Sequence, residues 1–147
     1  MLKNLIYIIL LLNLSMSPIS DKYDLTVNVS GLKPLKGDLY ISLHNRPGSF
    51  QVADSAFLKR KIGVDEEMET VVFKNIPGGN YAISVYHDEN QNGVLEMNEK
   101  GIPLEGYGFS TKTRSLARPK FEQAAFDLTK NDTVDIRMLY PKIQESR

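Results

Sequence analysis

Beyond residue 20, hydrophobic and polar positions alternate along most of the chain. Tyr23, Leu25, Val27 and Val29 alternate with Asp24, Thr26 and Asn28. Leu39, Ile41 and Leu43 alternate with Tyr40, Ser42 and His44, and Tyr81, Ile83 and Val85 with Ala82, Ser84 and Tyr86. A period of two with β-branched and aromatic residues predicts strands that bury one face. Residues 71–76 read as a further strand that stops at Pro77, Gly78 and Gly79. Residues 121–128 and 134–140 read as the last two, separated by the turn residues Lys130, Asn131 and Asp132, and 57–62 is a weaker candidate. No stretch after residue 20 holds a helical period. Several short strands with turn signals between them predict an all-β fold, a single antiparallel sandwich of about seven strands of the immunoglobulin kind. Two segments, 45–56 and 88–120, do not read as strand. A structureless loop as long as the second is usually functional or tied down by something.

The first twenty residues follow other rules. Lys3 is followed by a nearly unbroken apolar run over 5–14, interrupted only by Asn13, and then by the small residues Ser15 and Ser17. Basic start, apolar centre and small-residue end describe a secretory signal peptide over 1–20, ahead of a domain over 21–147. The apolar run is about half of what a bilayer span requires. Pro18 directly after Ser17 is awkward for cleavage, so an uncleaved anchor is the one route to a membrane. The expected location is outside the cytoplasm: periplasmic, cell-surface or secreted.

Composition narrows the chemistry. The chain has 147 residues, 18 Lys+Arg, 18 Asp+Glu and no cysteine. Length allows one ordinary domain with a sizeable core. Without cysteine there is no disulfide, thiolate metal site, Cys nucleophile or lipid-bearing cysteine. Balanced charge argues against a nucleic-acid partner. Export without disulfides leaves the core, or something bound, to supply stability.

One segment carries a metal-binding pattern. Residues 88–99 read DENQNGVLEMNE and match D-x-[DN]-x-[DN]-G-x5-E at every specified position. Asp88, Asn90 and Asn92 supply side-chain oxygens, Gly93 allows the sharp turn, Val94 offers its carbonyl, Glu96 stands at position nine and Glu99 closes the shell at twelve. Leu95 can pin the loop to the core. The competing reading is a polar hairpin loop with an Asn92-Gly93 turn and Asx hydrogen bonds. A strand precedes the loop, and Gly101 and Pro103 follow it, so no helix pair would open on binding. The site is expected to be structural, selective for calcium, and weak, on the order of 10⁻⁴ to 10⁻³ M.

Other candidates are His87 and Glu105, as supports or additional ligands of the loop, and Tyr107 and Phe109, as a ligand-stacking surface or as caps on an open end of the sandwich. His44 is a possible base on a strand. Ser110 lacks the Gly-x-Ser-x-Gly setting of a nucleophile. Lys112, Arg114, Arg118 and Lys120 form a basic stretch that reads first as a solvated loop.

Residues 73–110, FKNIPGGNYAISVYHDENQNGVLEMNEKGIPLEGYGFS, resemble the exported bacterial family catalogued as domain of unknown function 2141. The resemblance is carried by the turn and strand start over 77–82, by His87 to Gly93, and by Gly101 to Ser110. Phe121, Ala125, Phe126 and the final strand to Tyr140 extend it to about residues 23–141. Glu96 departs from the aspartate the family pattern would place there, and keeps a carboxylate. The resemblance implies an export signal and a small prealbumin-like sandwich, and no established activity. Together these readings predict an exported module for binding or envelope assembly, with an envelope protein, a peptide or a glycan as partner. The rival readings are a metal-dependent enzyme using His87, Asp88 and Glu105, and a purely structural envelope protein.

Overall fold

The computed structural model describes residues 21–112 and 118–141. The signal-type segment 1–20 and Arg114 of the basic stretch lie outside the described residues. Eight strands form: β1 (Lys22–Ser30), β2 (Asp38–His44), β3 (Leu58–Gly63), β4 (Met68–Pro77), β5 (Gly79–Asp88), β6 (Gly106–Phe109), β7 (Phe126–Leu128) and β8 (Asp132–Arg137). A one-turn helix, α1 (Phe121–Ala124), and two 3-10 turns at Pro47–Ser49 and Ala53–Ser55 complete the elements. One sheet has the order β4-β1-β8, and the other runs β3-β2-β5-β6 with β7 also paired to β5.

The two sheets enclose one core. Leu25, Val27 and Val29 of β1, flanked in their own sheet by Phe73 of β4 and Ile136 of β8, share one core with Leu39, Ile41 and Leu43 of β2 and Ile83 and Val85 of β5. All are essentially excluded from water, the burial that drives a fold without disulfides. The alternation in β1 is met from Leu25 to Val29, whose odd positions are buried and whose even ones are half-exposed, while Tyr23, before an irregularity in the pairing with β4, is only half-buried.

Three features differ from the sequence reading. β8 pairs with β1 in parallel, Leu25 opposite Asp132 and Val29 opposite Ile136, so one sheet is mixed. The 121–128 strand is split: Phe121 and Ala124 are turned inward by α1, and only 126–128 pairs with β5. The backbone N–H of Lys120 donates to the Gln123 side chain at 2.7 Å, a local bond that favours the helical turn. The 88–120 segment is not wholly loop, since it contains β6, paired to β5 from Ser84–Phe109 to His87–Gly106.

β2 is buried on both faces. Its core face packs between the sheets. Its other face is covered near His44 by a small cluster of Ala82, Phe121 and Ala124 with Phe50 against them. That cluster seals one end of the outer face of the five-stranded sheet and leaves the other end open beside the 88–105 loop.

Candidate functional site

The loop begins where β5 ends. Asp88 is fully buried, and its carboxylate accepts the backbone N–H of Asn92 at 3.1 Å and of Gly93 at 2.7 Å. The Asn90 side-chain oxygen accepts the same Asn92 N–H at 3.0 Å, and the Asn92 side-chain oxygen accepts the N–H of Val94 at 3.0 Å. The two side-chain amides then converge on one carboxylate: Asn90 donates to Glu96 at 3.2 Å and Asn92 at 3.0 Å. Gly93 has φ +83°, a conformation that suits glycine. Four of the six residues picked out in sequence, Asp88, Asn90, Asn92 and Glu96, are therefore gathered in one tight turn.

Val94 is bonded into that turn through its N–H, while its side chain is 57% exposed. Glu99 is elsewhere. Residues 97–103 form a small tongue closed by the Met97–Pro103 bridge, with the Asn98 carbonyl accepting the N–H of Gly101. Glu99 lies exposed in the turn at its tip. The buried carboxylate beside the loop is Glu105 instead. It accepts the N–H of Glu89 at 3.0 Å and of Glu96 at 3.3 Å, tying both feet of the loop to the start of β6. Among the described residues, no three His, Asp or Glu side chains are grouped to ligate one ion. The loop's own donor set is two carboxylates and two amides, all oxygen, which suits a hard cation held weakly.

The surroundings hold the loop on the sheet. Tyr86 donates its hydroxyl to the Gly93 carbonyl at 3.2 Å and stacks on Tyr40 with ring centroids 4.6 Å apart. Burial first, then the charges of its neighbours, push the Tyr86 phenol up to about 12. Asp38 accepts from Gln91 at 3.2 Å and pairs with Lys61 at 2.9 Å. The Lys61 ammonium bonded to it holds the Asp38 carboxyl below its usual range.

His87 and Asp88 are consecutive on a strand, so their side chains leave it on opposite faces. His87 is fully buried, bonded to the Lys36 carbonyl and to Tyr140. The His87, Asp88 and Glu105 trio considered for a catalytic metal is therefore not a shared site. Ser110 is a structural tie: it accepts the N–H of Ile83 at 2.8 Å and donates to the Ala124 carbonyl at 2.6 Å.

Beside the loop lies a groove of about 370 Å³ across the outer face of the five-stranded sheet. The loop forms one wall, Tyr107 and Phe109 part of the floor, and Arg118 stands at its margin. Tyr107 is buried and Phe109 half-buried, so the expected stacking surface is one edge of a recess. His44, a candidate base in the sequence, does not itself line the groove. Fully buried His44 shares a 3.0 Å hydrogen bond with Ser84, a groove residue. The alternation of β2 put His44 on the polar face, and nothing local announced the Phe50 lid.

No curated protein and no solved structure matches the chain. A family model described as "Uncharacterized protein conserved in bacteria (DUF2141)" matches residues 27–137, which spans the chain from β1 to the end of β8. The chain belongs to the DUF2141 family.

Proposed function

We propose that this is an exported β-sandwich module whose 88–96 loop holds a calcium ion and so fixes one wall of a binding groove. The observation that carries the reading is the convergence of Asp88, Asn90, Asn92 and Glu96 in one turn. Glu96 is now met by two amide N–H groups, and a hard cation would compensate its charge more strongly than neutral amides do. Glu105 supports the loop from behind and Glu99 stands outside the set. Export is supported by the order of residues in 1–20, and the millimolar calcium of an extracellular setting suits a weak site.

The test is thermal melting of the chain across a calcium titration, with magnesium as comparison. A ligand that binds only the folded state raises stability by RT ln(1 + [L]/Kd), about 1.4 kcal/mol at ten times Kd. For a domain of this size that is a rise of roughly 3–6 °C at 10 mM calcium. Asp88→Asn with Glu96→Gln keeps the side-chain shapes and is expected to remove the rise. An unchanged melting temperature in the native chain rejects the calcium loop, and a rise that survives both substitutions places the ion elsewhere.

A further inference from the structure

We propose that the groove on the outer face of the five-stranded sheet binds a small amphipathic monocarboxylate, an aliphatic acid of about eight carbons. The inference rests on the binding-module reading above and names its ligand class. The groove has two unlike sides. Its loop wall is apolar, built by Val94, Leu95, Met97 and Pro103, and its floor continues this with Phe109. Val94 and Met97 are 57% and 36% exposed, yet they sit on a segment bonded tightly at both ends. Exposed aliphatic groups on a fixed wall are a standing invitation to an apolar ligand, because covering them removes apolar surface from water.

The groove's lining holds one cation, Arg118, and one anion, Asp54. Among the described residues, the ion pairs are Lys59 with Asp54 and Lys61 with Asp38. Asp54, on the groove's rim, is fully exposed to water and pairs with Lys59 at 3.3 Å, so solvent screens its charge. Arg118 belongs to neither pair, and its guanidinium makes a 3.0 Å contact with the Met97 sulfur. A thioether is a weak acceptor and leaves the charge uncompensated. The guanidinium fork matches a carboxylate. Its seat on Met97 places that fork directly at the end of the apolar wall. Ser42 and Ser84 add hydroxyls on the floor, within a volume typical of small-ligand sites. A neutral sugar would leave Arg118 unused, and an acid without a tail would leave the wall unused.

Isothermal titration of the full chain with octanoate tests this, with octan-1-ol as the tail without charge and acetate as the charge without tail. Octanoate is expected to bind, with octan-1-ol and acetate each at least tenfold weaker. Arg118→Gln and Met97→Asp should each weaken octanoate at least tenfold without changing the circular dichroism spectrum, since both side chains are exposed. No heat with octanoate up to 10 mM overturns the proposal. So does binding that is equal in the native chain and Arg118→Gln, or acetate binding as tightly as octanoate. Titration is repeated in EDTA. Octanoate binding with no calcium-dependent melting shift rejects the calcium loop alone, and a melting shift without octanoate binding rejects the ligand alone.

Discussion

Tyr140 donates its hydroxyl to Nδ1 of His87 at 2.8 Å, from a position 53 residues further along the chain. The other ring nitrogen, Nε2, meets the Lys36 carbonyl at 2.7 Å. A carbonyl only accepts, so the ring carries its hydrogen on Nε2 and Nδ1 is the acceptor. The Tyr140 oxygen in turn accepts the N–H of Lys33 at 3.1 Å. This chain of bonds joins the β1–β2 connection, the end of β5 and the C-terminal segment directly behind Asp88.

Replacing Tyr140 with Phe removes the donor to His87 and the acceptor for Lys33 at once. Two polar groups lose their partners, and a loss of about 1–3 kcal/mol in chemical denaturation is expected. The alkaline limb gives a second check. Burial pushes the Tyr140 phenol up to about 12 from its ordinary 10. Its contribution is therefore complete below pH 10 and is lost as pH rises from 10 towards 12. The stability gap between the native chain and Tyr140→Phe should narrow over that window. A constant gap would mean that Tyr140 acts by packing alone.

Glu105 clamps both feet of the loop through the N–H groups of Glu89 and Glu96. Glu105→Ala leaves two partly buried donors without an acceptor, for an expected loss of about 2–4 kcal/mol. Glu105→Gln keeps one acceptor oxygen and should lose less. Amide hydrogen exchange reads the mechanism directly: protection at residues 89 and 96 should fall in Glu105→Ala ahead of the β5 core amides. Loss spread evenly over β5 would show Glu105 to be an ordinary core residue rather than a clamp.

His44 is fully buried, and its Nδ1 has no hydrogen-bond partner among the described residues. Burial holds its pKa below the ordinary 6.5, and the Ser49 backbone offsets this only in part. The folded chain thus keeps the ring neutral where the unfolded chain takes up a proton. Stability from this group is complete above pH 6.5 and declines as pH falls below it, by at most about 1.4 kcal/mol per pH unit. His44→Gln retains a bonding group for Ser84 and does not titrate. The free-energy difference between the two proteins should be flat above pH 7 and slope between pH 6.5 and 5. A flat difference throughout would show that His44 titrates alike in both states.

The legible parts of the fold were those decided by neighbours in sequence. β1 alternates cleanly because one face meets the core and the other water. The turn at Gly78 and the polar turn at Gly93 are marked by residue types that permit them. The parts that were hidden depend on distant contacts. β6 reads as loop because it contains Gly106 and Gly108. A Cβ at those positions would lie 2.3 Å from the Tyr140 ring and 2.8 Å from Ile136, so the glycines admit the C-terminal segment. Glu99 fits the calcium pattern by spacing, but the Met97–Pro103 bridge turns it to the tip of the tongue. Glu105 takes the buried position beside the loop, and a linear pattern has no slot for it.

Gly37 offers the sharpest test that the loop's geometry is set from outside it. Its φ is +80°, and a Cβ there would lie 2.3 Å from the Asp88 carbonyl oxygen and 2.9 Å from the Glu89 Cα. Both contacts are backbone, so Gly37→Ala must shift the first residues of the loop as well as strain its own conformation. Gly101 supplies the control, with φ +71° and nothing within 4 Å of its virtual Cβ. Gly101→Ala should cost only the local conformational strain, roughly 1–2 kcal/mol. Gly37→Ala should cost at least about 1 kcal/mol more by denaturant titration. The two variants should also separate in calcium: the melting shift should persist in Gly101→Ala and shrink in Gly37→Ala, because only the second moves Asp88. Equal loss in both, with equal calcium response, would show that the β1–β2 connection does not position the loop.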